Sequence, residues 1–319
     1  MTSTPLPFSG TTDHLQRAVR EKYSEGASRK VEELCCSVLY DPALLEVIPD
    51  EVVERDYGCG DPTRHICEKE TVLDLGSGTG KSCFIAAQIV GPQGLVIGVD
   101  MNEDMLDIAR RAAPVVAERL DYANVRFHKG RIEDLALDMD ALGSYLTDHP
   151  ISSTEDLLLF EEEMAQRREK EPMIPESSVD VVISNCVLNL VLPEAKKKLF
   201  KEIYRVLKPG GRAVISDIVS DQPIPETLAT NPELWSGCIA GAFQESAFLS
   251  AFAQAGFSKV EILERSDSPW REIDEIAFRS LTVRAQKETE APAPSSAPLT
   301  IIQPGPAQDD SCCEPGSCC

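Results

Sequence analysis

The segment Leu73-Asp74-Leu75-Gly76-Ser77-Gly78-Thr79-Gly80 constrains this chain more than any other, because it joins an apolar run to a helical pattern through glycines at alternate positions. Such glycines let a strand turn tightly into a helix and let backbone approach a ligand with no Cβ in the way. From Thr71 onward the runs TVLDL, LVIGVD, VRFH, VDVVISN and RAVISD alternate with helical patterns over about Lys81 to Val90, Asn102 to Glu118 and Pro193 to Leu207. Lys208-Pro209-Gly210-Gly211 reads as a turn before the last of these runs. This alternation is the signature of βαβ units, and continuous Val/Ile runs without polar alternation mark strands covered on both faces. The expected fold is α/β, a Rossmann-like sheet with helices on both faces.

The rest of the chain is organised around that sheet. Residues 1–70 are expected to form an N-terminal lid and 71–217 the Rossmann-like domain, with an acidic helix inserted at about 138–172. In the insertion, Leu157, Leu158, Phe160 and Met164 give a narrow apolar stripe, so it reads as a surface helix. A small substrate-binding segment follows at 218–286, with a helix from about Gln244 to Ala255 and strands at KVEILE and AFRSLTVRA that close the sheet edge. Residues 287–319, rich in Pro, Ala, Ser and Gln, read as a disordered linker ending in SCCEPGSCC. No internal repeat is evident.

The glycine loop narrows the ligand. Gly80-Lys81-Ser82 invites a phosphate-loop reading, but that motif needs glycine where Leu75 stands. A dinucleotide site wants G-x-G-x-x-G, whereas the spacing here is G-x-G-x-G with Asp74 at the strand end. That carboxylate would repel a pyrophosphate and suits a cationic amino-acid moiety. Asp100 stands about 20 residues past the last glycine, where such folds place a carboxylate that accepts ribose hydroxyls. Met105 is placed to pad an adenine, Ile132 and Glu133 to bracket its edge, and Asn185 ends a strand at the carboxyl edge of the sheet. Taken singly, Asp100, Glu133 and Asn185 also read as caps or turn residues; jointly they fit a nucleoside pocket. The arrangement resembles the class I methyltransferases over about Thr71 to Asp217. That resemblance implies S-adenosylmethionine as cofactor, with Tyr57, Gly76, Ser77, Gly78, Gly80 and Met101 joining the residues above at its site.

Charge and cysteine usage narrow the acceptor. A formal net charge of -22 over 319 residues repels nucleic-acid phosphate and anionic lipid, so neither is expected as a partner. The N-terminus lacks the pattern of a secretory signal and no apolar run approaches the ~18 residues of a membrane helix, so a cytoplasmic monomer is expected. Eleven cysteines in a reducing compartment point to metal binding or redox chemistry more than to structural disulfides. Oxygen, nitrogen or carbon acceptors often need a base, and no Asp-His or Tyr-His constellation is evident among four histidines. Cysteines stand instead at positions expected to face the cofactor: Cys186 after Asn185, Cys59 in Tyr57-Gly58-Cys59-Gly60, and Cys238 in Trp235-Ser236-Gly237-Cys238. Soft thiolates select soft centres, and three around one site make an As(III) cage.

The segments RDYGCG, LDLGSGTGKSCFIAAQIVGPQGLVIGVDM, SNCVLNLV, YRVLKPGG and LWSGCIAGA are similar to those of the arsenite methyltransferase family, across roughly Val31 to Ala285. The resemblance implies that Cys186 and Cys238 hold arsenic throughout the cycle. It implies further that Cys59 and an N-terminal thiol, Cys35 or Cys36, enter the relay that reduces the product. The substrates would be arsenite and methylarsenite, and thioredoxin or glutathione would reset the thiols. Cys67 and Cys83 match no arsenic-binding context and read as structural. The tail pairs Cys312-Cys313 and Cys318-Cys319 would remain dithiols, since adjacent Cα atoms lie ~3.8 Å apart, closer than a disulfide prefers. The rival readings are a carbon or oxygen methyltransferase of a quinone precursor, which needs no cysteine triad, and a protein that sequesters metalloid without turnover.

Overall fold

The computed structural model describes residues 9–29, 40–55, 57–289 and 300–302. Among these, ten strands form one sheet: β1 (Thr71–Leu75), β2 (Leu95–Asp100), β3 (Val125–Lys129), β4 (Val179–Asn185), β5 (Leu207–Ser220), β6 (Phe243–Gln244), β7 (Lys259–Arg265), β8 (Arg271–Ile273), β9 (Ile276–Gln286) and β10 (Thr300–Ile302). Their order is β10-β7-β9-β5-β4-β1-β2-β3, with β6 beside β5 and β8 beside β9. β1 runs parallel to both β2 and β4, while β9 is antiparallel to β5 and β7. The strand order therefore reverses at β1, and the crevice outside the carboxyl ends of β1 and β4 is where such a sheet binds its ligand.

Burial follows the expectation of a sheet covered on both faces. Along β4, Val182 packs into one apolar cluster with Leu73, Leu75 and Phe200, whereas its neighbours Val181 and Ile183 pack into another with Val72, Ala86 and Ala87. Period-two alternation across two buried faces explains why the run shows no polar residue at every second position. The helices start where their residues dictate. Asn102 accepts a hydrogen bond from Met105 N and caps the Glu103–Leu120 helix, and a proline opens the Pro193–Val206 helix. KVEILE and AFRSLTVRA become β7 and β9 and complete that side of the sheet, as expected. Among the described residues no helix is long and apolar enough to cross a membrane.

Three expectations need correction. Lys208 to Gly211 do not stand between elements; they lie inside β5, between the pairs Leu207–Val179 and Arg212–Val181, so four residues face Asp180 alone and make an irregularity in the strand. The insertion holds two helices, Met139–Asp148 and Thr154–Lys170, rather than one. Met164 is buried, but Leu157 and Leu158 are 43% and 61% exposed, so the stripe does not dock as a unit. This second helix is upheld by local terms instead: a capping box of Ser153 and Asp156, and the Arg167–Glu163 pair one turn apart. Last, the tail is not without structure from 287 onward. Thr300–Ile302 adds β10 in parallel to the open edge of β7, a fit of β-branched residues to unpaired strand backbone. Cys35, Cys36, Cys312, Cys313, Cys318 and Cys319 lie outside the described residues.

Candidate active site

At the carboxyl ends of β1, β2 and β4 lies a cavity of about 540 Å³, within the range of small-molecule sites. The glycine loop forms its floor. Gly76 and Ser77 donate backbone N–H groups to Val99 O at 2.8 and 3.1 Å, which ties the loop to β2. Gly76 adopts φ of 71°, and a Cβ there would overlap the Val187 side chain, so no other residue fits. Asp100 accepts from Gly78 N and from Asn102 N, both at 2.8 Å, and its pKa is raised above the ordinary carboxylate value by burial, against those hydrogen bonds. Asp74 is buried at the loop's entrance, and its carboxylate accepts a hydrogen bond from the Cys83 thiol at 3.2 Å. Cys83, expected as core, is fully buried, with its thiol pKa pushed up by burial and then by Asp74.

Of the residues expected to bind the cofactor, Tyr57, Asp74, Gly76, Ser77, Gly78, Asp100, Met101, Met105, Ile132, Glu133 and Asn185 all line this cavity. Gly80 does not; it caps the Lys81–Val90 helix with φ of 91°. The donor set fits S-adenosylmethionine: carboxylates at Asp100 and Glu133 for hydroxyls and an adenine edge, and the Asp74 carboxylate for an ammonium. Ser77 Oγ adds a second observation, for it borders the cavity, is buried and has no hydrogen-bond partner among the described residues. Asn185 differs from expectation in its use. Its Oδ1 accepts from Cys59 N at 2.8 Å and Gly60 N at 3.1 Å, and its Nδ2 donates to Gly60 O and Tyr40 Oη. The carboxamide thus holds the Tyr57-Gly58-Cys59-Gly60 loop against the end of β4. A Cβ at Gly58 would run into this amide, which explains the glycine before Cys59.

The three thiols converge beside that cavity. Cys59, Cys186 and Cys238 are buried in one apolar cluster with Ile218, Ile239, Ile276 and Phe278. Cys59 and Cys186 are joined as a disulfide with Cα atoms 5.9 Å apart, across 127 residues of sequence. Cys238 Sγ donates to Cys186 O at 3.1 Å, and Tyr23 Oη lies 3.7 Å from the same sulfur. The structure therefore holds the oxidised form of the Cys59–Cys186 pair, with the Cys238 thiol in the same apolar cluster. Cys67 stands elsewhere, with Arg212 Nη2 3.8 Å from its sulfur.

Sequence reasoning missed four side chains near the thiols. Tyr23, from the Ser9–Ser28 helix, has its hydroxyl pKa raised well above 10 by burial and then by Cys238, so it stays protonated. Asp217 is buried at the Cys238 side of β5 with its pKa pushed up to about 7 by burial. Lys196, lowered to about 8 by burial, donates to Gly241 O and lies over the Phe243 ring. Asn189 bridges to Asp217 Oδ1 at 2.8 Å. Of these only Asn189 had a sequence signal, its place three residues after Cys186 in the motif Ser184-Asn185-Cys186-Val187-Leu188-Asn189-Leu190.

A doubly wound sheet with an antiparallel strand inside it, a glycine loop without phosphate-binding spacing and carboxylates at the carboxyl ends of β1 and β2 define a class I methyltransferase. The methyltransferase-domain family matches residues 66–145 and 157–256. The chain belongs to the arsenite methyltransferase family within that class. It is 39% identical over 213 residues to an arsenite methyltransferase of Halobacterium salinarum, which covers 66% of this chain and 44% of that protein. It is 34% identical over 234 residues to one of Aquipseudomonas alcaligenes, covering 72% of this chain and 57% of the relative. The chain thus spans about half the length of these curated relatives. The crystal structure of an arsenic(III) S-adenosylmethionine methyltransferase from Chlamydomonas reinhardtii superposes with a TM-score of 0.61 at 31% identity, covering 78% of this chain and 75% of that one.

Proposed function

We propose that this protein transfers methyl groups from S-adenosylmethionine to trivalent arsenic held on Cys186 and Cys238, giving mono- and dimethylated arsenicals. The observation that carries the reading is the convergence of Cys59, Cys186 and Cys238 in one apolar pocket at the edge of the cofactor cavity, which Cys186 itself lines. S-adenosylmethionine supplies an electrophilic methyl on a sulfonium. Asp100 would accept its ribose hydroxyls, Glu133 an adenine edge and Asp74 its ammonium, while the glycine loop permits close approach. Arsenic carries its own lone pair, so the protein needs to position rather than deprotonate the acceptor. This agrees with a site in which the hydroxyl beside Cys238, that of Tyr23, stays protonated.

The thiols then have a redox task. Methyl transfer raises arsenic formally from As(III) to As(V), and two electrons must return to it. Two cysteine thiolates supply them by forming a disulfide; Cys59 would be one of them, and its standing within bonding reach of Cys186 supports a thiol relay at this site, with Cys186 free to hold arsenic once that bond is reduced. Cys35 or Cys36 would be the next thiol in the relay, and an external dithiol such as thioredoxin, or glutathione, would reset the cysteines. The reading places the protein in a reducing cytoplasm as a monomer, with residues 1–70 as a lid and 218–286 presenting Cys238. The test is an assay with arsenite, S-adenosylmethionine and reductant, with products separated by mass. Methylated arsenicals that depend on Cys186 and Cys238 are expected; turnover of a quinone precursor with none on arsenite would overturn the reading.

A further inference from the structure

We infer that Asn189 is a positioning residue that holds the two backbone turns presenting Cys186 and Cys238 to one arsenic, a role that rests on the function proposed above. The starting observation is conformational. Among the described residues seven non-glycines have positive φ: Lys69, Asp121, Ser177, Cys186, Cys238, Asp274 and Glu275. Five of them are exposed turn residues; the two buried ones are Cys186, at 60°, and Cys238, at 61°. Side chains rarely adopt this region, and a buried residue stays there only where its surroundings over-determine it.

Asn189 supplies that determination for both turns at once. It sits fully buried in the short helix Leu188–Leu190, three residues after Cys186. Its Nδ2 lies 2.8 Å from Asp217 Oδ1, 2.7 Å from Ile218 O and 3.2 Å from Cys238 O. Asp217 is in turn fixed by the Ile218 N–H at 2.8 Å. A closed circuit results: Cys186 leads through the backbone to Asn189, Asn189 donates to the Cys238 carbonyl, and the Cys238 thiol donates back to the Cys186 carbonyl at 3.1 Å. The opposite end of the amide shows which half matters. Asn189 Oδ1 is buried with no partner among the described residues, an unfavourable arrangement that a leucine of similar size would avoid. The donor is the half the site uses.

The test measures arsenite and S-adenosylmethionine dissociation constants under reducing conditions for the wild type, Asn189→Asp and Asn189→Ser in the full chain. Asn189→Asp keeps the shape and removes both donor hydrogens; Asn189→Ser removes the reach. Both are expected to weaken arsenite at least 10-fold while the cofactor constant stays within 2-fold. The same loss is expected for methylarsenite, and in a Cys59→Ser background, since Cys186 and Cys238 are the thiols concerned. Unchanged arsenite affinity in both variants would overturn the inference, as would a parallel loss of both ligands, which marks a role in folding alone. A wild type that binds S-adenosylmethionine but neither arsenical would fail the proposed function itself, an outcome distinct from either.

Discussion

The cofactor loop and the thiol pocket are built in opposite ways. The loop is local: Asp74 to Gly80 are contiguous, their shape follows from glycines, and the carboxylate they meet, Asp100, ends the next strand. The pocket is assembled from three distant segments, with 127 residues between Cys59 and Cys186 and 52 between Cys186 and Cys238. The ties are spread over the fold: Asn185 fixes the Cys59 loop, β5 holds Cys186 through Ser216 O, and Asn189 links the Cys186 segment to β5 and to the Cys238 turn. A local device survives single losses in the pocket, while a distributed one fails wherever one tie is cut.

The largest break should come at Cys186. Cys186→Ser keeps the shape and removes the soft ligand, so methylation of arsenite and of methylarsenite should both fall by at least on the order of 100-fold. Cofactor affinity, measured by calorimetry, should hold, because the loop does not depend on the thiol. Normal turnover of methylarsenite by this variant would remove the arsenic cage from consideration. Cys59→Ser should divide the two substrates: the first methylation stops, whereas methylarsenite, which already has one carbon ligand, is still turned over when thiol is added. Product ratios by mass spectrometry read this directly, and equal loss on both substrates would show that Cys59 is not confined to the first step.

Asp100→Ala sharpens the contrast from the other side. Loss of a charged acceptor should weaken S-adenosylmethionine by ~1.5–3 kcal/mol, roughly 10- to 150-fold, while arsenite binding persists. An unchanged cofactor constant would leave Asp100 a purely structural tie between Gly78 and Asn102. The smallest effect is a pH dependence at Asp217. Its folded pKa, about 7, lies above the ordinary carboxylate value of 3.8 because burial disfavours the charge. The stability contributed by the neutral form is therefore full below about pH 4 and lost as pH rises through about 7. Asp217→Asn stays neutral throughout, so its denaturation midpoint should fall less between pH 5 and 8 than that of the wild type. Allowing for the Lys196 charge, the difference should be on the order of 1–2 kcal/mol. Parallel profiles for the two proteins would show that the carboxyl is ionised at little cost.

Much was legible before any coordinates. The alternation of runs located strands β1 to β5 and their helices, and the motif contexts picked out Cys59, Cys186 and Cys238. Where reading along the chain failed, the cause was tertiary. Leu157, Phe160 and Met164 have helical spacing, but periodicity cannot say how much of such a stripe is covered, and here Met164 is buried while Leu157 remains exposed. Thr300-Ile301-Ile302 sits in a linker composition, yet the open edge of β7 recruits it as a strand.

By itself, the order of residues determined those properties that depend on neighbours a few positions away: the tight turn at Gly76, the strand that precedes it, and the identity of the soft ligands. Tertiary structure decided the rest. Only the docking of β4 against the 57–60 loop puts the Asn185 amide on Cys59 N as well as beside the cavity, and only β5 brings Asp217 beneath Asn189. The physical reason is that a hydrogen bond or a thiol pair joining residues 28 to 127 positions apart has no periodic trace in the chain. Its partners are chosen by the packing of the sheet, which brings them within reach after every local preference has been satisfied.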